Sequence, residues 1–256
     1  MGKKFLTPVE ITNATINTSI TKANLKLNQC MLLGILAGMF IGFGAFGNIV
    51  FTQTLASIDI GLAKFAGAVV FPVGLILVVV CGAELFTGNN LMTLAVLDKK
   101  ISLKKMFRNW GLVYLANLIG SLLLVALIYE SGLLVEDGAI KAIYIAESKA
   151  TLSIYQAFFR GVLCNILVVL AVWMATASQD IISKLFACWF PIMLFVLCGF
   201  EHSVANMFFI PMGMVLGADV SVIQFIANLM VVTIGNIVGG AIVIPFIYHK
   251  VYLKSN

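Results

Sequence analysis

The sequence predicts an all-α polytopic membrane protein, with six transmembrane helices arranged as an inverted 3+3 repeat. Three observations carry that expectation. Of 256 residues, 61% are hydrophobic and only 11% charged, where a soluble domain carries roughly 25% charged residues. Several uncharged stretches exceed the ~20 residues that cross ~30 Å of hydrocarbon as a helix, and none shows the alternation of a barrel strand. Finally, a nine-residue pattern built around a glutamate occurs twice.

At the start of the chain, Thr7-Pro8-Val9-Glu10 reads as a helix beginning: a threonine cap, proline in the first turn, and glutamate three residues after the cap. The stretch to about Leu27 mixes Val9, Ile16, Ile20 and Leu27 with threonine, asparagine and lysine, as in a helix lying at the membrane surface. These first 28 residues are polar, so the expected insertion signal is the first span and not a cleaved leader. That span runs from about Cys30 to Phe51 and holds Gly34, Gly38 and Gly42 four apart, a smooth strip for close helix contact. The third, fourth and sixth spans are expected near residues 109–128, 159–177 and 220–248.

The second and fifth regions fit no single crossing. Residues 65–97 and 185–217 are each 33 long. The first is interrupted by Glu84, Gly88, Asn89 and Asn90, the second by Glu201, His202 and Asn206. Crossings broken in mid-membrane, with irregular backbone buried among other helices, account for both.

The repeat ties these regions together. Cys81-Gly82-Ala83-Glu84 through Asn89 matches Cys198-Gly199-Phe200-Glu201 through Asn206 as C-G-x-E-x-x-x-x-N, 117 residues apart. Asn117-Leu118-Ile119-Gly120 then matches Asn236-Ile237-Val238-Gly239, 119 apart. Three crossings per half force opposite insertion of the halves. The expected organisation is one membrane domain over 1–256: a surface helix in 1–28, a first repeat in 30–128 and an inverted second repeat in 159–248.

Charge placement sets orientation and excludes some functions. Twelve of the 16 Lys and Arg fall in segments that face the cytoplasm if both termini lie there, including Lys3, Lys4, Lys22, Lys26 and Lys254. The other four are Lys64, Lys141, Lys149 and Arg160, which predicts a multi-pass inner (plasma) membrane protein with both termini inside. The net charge of +5 lies in loops beside apolar spans, a pattern of lipid contact and not of nucleic-acid binding. The five cysteines sit inside or at the edge of apolar runs and form no CxxC site, so neither metal nor cofactor is implied.

The candidate functional residues cluster at the breaks. A charged side chain at mid-membrane costs about 2.5–3.5 kcal/mol even on insertion scales. For Glu84 and Glu201, with Asn89 and Asn206, the expected role is to satisfy backbone N–H groups freed by each break. His202 has Leu85 as its counterpart and so breaks the symmetry. Imidazole can donate hydrogen bonds to an anion and change charge near neutral pH, which predicts a proton-linked passage controlled by this side chain. Thr87 supplies a hydroxyl at the other break, and Asn165 in the fourth span needs a polar partner such as the histidine or a break. Phe71, Leu75, Phe86, Val168 and Phe195 are core residues near enough to the breaks to serve as apolar constrictions. A neutral-solute channel of the aquaporin kind is the alternative, though neither break carries Asn-Pro-Ala. An enzyme using Glu201, His202 and Ser203 is disfavoured, because the chain has only two histidines.

Over essentially its whole length the sequence resembles the formate/nitrite transporter family. The resemblance rests on Cys81 to Thr87, on Gly199 to Met207 with Ile210-Pro211-Met212-Gly213, and on Asn165 with Ala171-Val172-Trp173-Met174. It implies an aquaporin-like protomer in a homo-pentamer, each subunit with its own pore for small weak-acid anions: formate, nitrite or hydrosulfide. It also implies a selectivity site of Thr87 and His202 with Asn165 near the histidine. The constrictions would be Leu75 with Phe195 and Phe86 with Val168, Lys149 would stand beside the outer vestibule, and the N-terminal helix would help to gate.

Overall fold

A computed structural model describes residues 5–253; Lys3, Lys4 and Lys254, which entered the orientation count, lie outside them. The capping box of Thr7 and Glu10 starts α1 (Pro8–Ala23) as expected, with Thr7 N and Oγ1 each 2.8 Å from the carboxylate. The helix is joined to the bundle. It packs against α6 (Thr93–Leu97), α7 (Leu103–Glu130), α9 (Ile154–Ala177) and α13 (Ile244–Tyr252). Its buried face carries Ile11, Thr12, Thr15, Ile16, Ser19 and Ala23, while Val9 stays exposed. Thr12 and Ser19 can be buried because their hydroxyls return to the carbonyls of Pro8 and Thr15, both at 2.8 Å.

Among the described residues, five helices are long and apolar enough to cross a membrane: α2 (Leu27–Thr52), Ile60–Val80, α7, α9 and Val222–Tyr252. Three of them begin earlier than the apolar runs suggest, because polar caps recruit a less hydrophobic first turn. Asp59 takes the Leu62 N–H at 2.6 Å, Ser102 that of Lys105 at 3.3 Å, and Ser153 that of Gln156 at 3.3 Å. The second span is α3 (Ile60–Val70) continued by α4 (Val73–Val80) past Pro72, and it stops before α5 (Phe86–Asn89). The fifth region is divided into α10 (Ile181–Leu197) and α11 (Ser203–Val215). Neither is as long as the ~20 residues a crossing needs. The last span is α12 (Val222–Ile237), a π-helical turn at Val238–Val243 and α13.

One helix was not anticipated. α8 (Glu136–Ala150) is too polar to register as a span, yet it packs closely on α11. Its small residues Gly138, Ala142 and Ala146, four apart, are the buried stripe.

Both breaks have one design. α4 and α10 end in Gly82 (φ +80°) and Gly199 (φ +70°), left-handed positions open to glycine. The chain closes a six-residue turn beyond each, Ala83 N to Val78 O at 2.9 Å and Phe200 N to Phe195 O at 3.0 Å. The next residue then leaves for a neighbouring helix: Glu84 N donates to Leu33 O and Glu201 N to Arg160 O, both at 3.2 Å.

Close helix approach holds the framework. A Cβ on Gly38 would collide with the Asn117 carbonyl, and one on Gly120 with that of Ile35. Lipid supplies no hydrophobic drive between helices, so this backbone-to-backbone packing is a main source of cohesion. Gly38→Val is therefore expected to abolish monodisperse folded protein on size-exclusion chromatography in detergent. A normal elution profile and an unchanged melting temperature would contradict it.

Candidate functional site

The broken spans leave polar backbone at membrane depth, and two asparagines of α7 and α12 complete it. Asn117 Oδ1 accepts the Phe86 N–H at 3.0 Å, and its Nδ2 donates to Gly34 O at 2.8 Å and Glu84 O at 2.9 Å. Asn236 Oδ1 accepts the Ser203 N–H at 2.9 Å, and its Nδ2 donates to Gly161 O at 2.8 Å and Glu201 O at 2.9 Å. The N–H groups freed at the breaks therefore go to asparagine side chains, backbone carbonyls and His202 Nδ1, and not to Glu84 and Glu201, which corrects the capping role expected of those carboxylates. Asparagine suits the position because one side chain offers both an acceptor and two donors.

The two glutamates instead form the centre of a second matched pair of clusters. Lys22 Nζ lies 2.6 Å from Glu84 Oε1 and 2.8 Å from Asn89 Oδ1; Asn89 Nδ2 donates to Glu84 Oε2 at 2.7 Å and Asn109 Oδ1 at 2.9 Å. Asn109 Nδ2 closes the ring on Lys22 O at 3.2 Å. In the other half Lys149 Nζ is 3.0 Å from both oxygens of Glu201. Asn206 Nδ2 donates to Glu201 Oε2 at 2.7 Å and Asn228 Oδ1 at 2.8 Å, and Asn228 Nδ2 to Lys149 O at 2.8 Å. Asn89 and Asn206 are thus carboxylate partners and not caps of a break.

Lys22, Asn109 and Asn228 had no assigned role in the sequence reading. The spacing of Asn109 and Asn228, 119 residues as for Asn117 and Asn236, was the signal available. Lys22 and Lys149 could not be paired that way, since their helices precede the repeated pattern at a different offset.

Between the clusters lies the symmetry-breaking set. Thr87 Oγ1 is 2.8 Å from His202 Nε2, with both residues buried. His202 is also the N-cap of α11: its Nδ1 accepts the Ala205 N–H at 3.1 Å. A ring nitrogen that accepts carries no proton, so the imidazole is neutral and its hydrogen sits on Nε2, donated to the Thr87 hydroxyl. Thr87 keeps its own hydrogen, which has no protein acceptor among the described residues. Asn165 does not reach the histidine. Its Nδ2 bridges the other break, to Asn90 Oδ1 and Asn236 O at 2.8 Å and Thr87 O at 3.4 Å.

Two cavities approach this centre from opposite sides. One, of 560 Å³, is lined by Lys149, Glu201, Phe71, Phe195 and His202 among others. The other, of 370 Å³, is lined by Lys22, Glu84, Asn89, Leu75, Leu85 and Val172 among others. A void of only 10 Å³ lies between them, walled by Ile41, Phe71, Leu75, Leu85, Val168, Ile192, Phe195 and His202. That is about the room of a single water. Phe71, Leu75, Val168 and Phe195 are among the walls of this void. Phe86 is not: its ring turns to Tyr114 (4.9 Å) and Trp110 (6.0 Å), and Leu85 takes the wall position instead.

A family model described as "Formate/nitrite transporter" matches residues 9–250. The chain belongs to the formate/nitrite transporter family. It is 43% identical to a "Probable formate transporter" of Methanothermobacter thermautotrophicus, covering 100% of both chains. It is 40% identical to the formate channel FocA of Haemophilus influenzae, over 98% of this chain and 96% of that one. Among solved structures it is similar to an FNT family ion channel, with a TM-score of 0.88 and 28% identity over 94% of this chain and 98% of that one. It is also similar to a pentameric formate channel with formate bound, with a TM-score of 0.81 and 36% identity over 89% and 98%. The relatives named here are channels and transporters, and the second of these solved structures is pentameric.

Asn236→Ala removes the partners of one N–H and two carbonyls at a break, each worth about 1–3 kcal/mol when buried unpaired. A fall of several degrees in the unfolding temperature of the detergent-solubilised protein is expected, and no fall would show that the break is held otherwise.

Proposed function

We propose that each subunit passes small weak-acid monoanions, formate first and nitrite or hydrosulfide by the same chemistry, and that the anion crosses the centre with a proton. The single observation that supports this is the placement of His202, held to the buried Thr87 hydroxyl, in the wall of the small apolar void that lies between two lysine-bearing cavities. In this reading the halves are inverted repeats, the Lys149 cavity faces outward, and both termini lie in the cytoplasm of an inner-membrane protein. The matched hydrogen bonds of the two breaks and the distribution of lysines support that arrangement.

Lys22 and Lys149 of the two cavities cannot carry an anion across the wall. Each is neutralised by its glutamate, at 2.6 Å and 3.0 Å. Moving a bare ion into an uncompensated apolar passage costs tens of kcal/mol by Born estimates, and a group in that position neutralises instead. Desolvation raises the pKa of a carboxylic acid, so formate entering the wall takes a proton from the water behind it, the bulk neutralises the hydroxide left there, and the neutral acid crosses and releases its proton on the far side. At the centre the Thr87 hydroxyl, held by the neutral imidazole, donates to the substrate oxygen, and α11 turns its N-terminus to the same place. His202 acts here as a fixed donor. To charge it, Nδ1 must give up the Ala205 N–H.

Flux into liposomes of formate, nitrite, hydrosulfide, glycerol and water tests the substrate class: the three weak acids should pass, and passage of glycerol without them would favour the neutral-solute alternative. His202→Asn keeps an oxygen for the Ala205 N–H but loses the ring donor. Formate flux is expected to fall about tenfold, as for one buried hydrogen bond, while the shape of its pH profile stays that of the native protein. A flattened profile would return the proton to the histidine.

A further inference from the structure

The Lys149 cavity is larger and more cationic than a three-atom anion requires. At 560 Å³ it falls in the range of about 300–1,000 Å³ that holds drug-sized ligands. Lys64 from α3 and Lys141 from α8 line it together with Lys149, and neither Lys64 nor Lys141 meets a carboxylate among the described residues. Burial moves the Lys141 ammonium below its ordinary pKa, as for a cation short of a counter-charge. Phe200 and Phe209 add apolar wall, and the floor is the edge-to-face pair of Phe71 and Phe195, 5.6 Å between ring centroids. The Lys22 cavity differs: its one lysine is already paired with Glu84.

We infer that the Lys149 cavity binds organic monocarboxylates carrying an aromatic or medium-length apolar tail, and that they stop there and block the pore. The carboxylate takes the unpaired charge of Lys64 and Lys141, and the tail replaces water against the phenylalanines. The ligand cannot proceed, because the space beyond the floor is 10 Å³. This site rests on the reading of the cavity as the mouth of an anion pore, but its occupancy can be measured without conduction.

The probe is 3-phenylpropionate, with 3-phenylpropanamide as its uncharged counterpart. Calorimetric titration of the detergent-solubilised protein should show saturable binding of the carboxylate and none of the amide. In proteoliposomes at about 0.3 M salt, where distant charges are screened, the carboxylate should block formate flux from one side of the membrane only. The double variant Lys64→Gln, Lys141→Gln should weaken both binding and block about tenfold, as for loss of a charged partner, and should keep its uninhibited formate flux. No saturable binding, equal action of the amide, or block unchanged in the double variant would each overturn the proposal. Absent formate flux with intact binding would count against the pore and not against this site.

Discussion

No charge or backbone dipole can rest in the apolar interior of this molecule without a partner, and every unusual feature of the chain follows from that. Breaking two spans frees N–H and carbonyl groups inside an otherwise apolar bundle. Asn117 and Asn236 take them up, each tying a break to its own span and to a neighbouring one. Placing carboxylates beside the breaks then demands cations, and Lys22 and Lys149 arrive on helices that do not cross: α1 and α8. The same condition applies to the substrate. With both lysines already matched, the centre has no spare charge to offer an anion.

The proposed function rests on the departure from this two-fold pattern. The scaffold residues recur in both halves, but the residues that face the centre do not. Leu85 stands where the other half has His202, and Val204 where it has Thr87, so one donor pair forms across the middle instead of two. The matched asparagines and ion pairs recur in both halves. A single passage for one small molecule needs one donor and an apolar wall, which the leucine helps to build.

The sequence revealed the breaks because intramembrane glutamates are rare and the repeat marked both. It revealed Thr87 and His202 as the unmatched polar residues there. It could not show what the glutamates touch, since Lys22 and Lys149 come from α1 and α8, whose offset differs from that of the broken spans. α8 escaped notice for a related reason: hydropathy registers long apolar runs, and this helix buries only a narrow stripe of glycine and alanine. The side of the chain that Phe86 faces was equally hidden, because one residue of register separates a pore wall from a ring packed on Tyr114. The histidine's protonation was beyond reach without its N-cap geometry.

The central claim is that charge does not cross the apolar middle alone. Native protein in liposomes carrying an internal pH indicator, given an inward formate gradient at a clamped membrane potential, measures it directly. One proton should enter with each formate, and the rate should not change when the potential is reversed. Formate entry that scales with potential and leaves the internal pH unmoved would contradict the account.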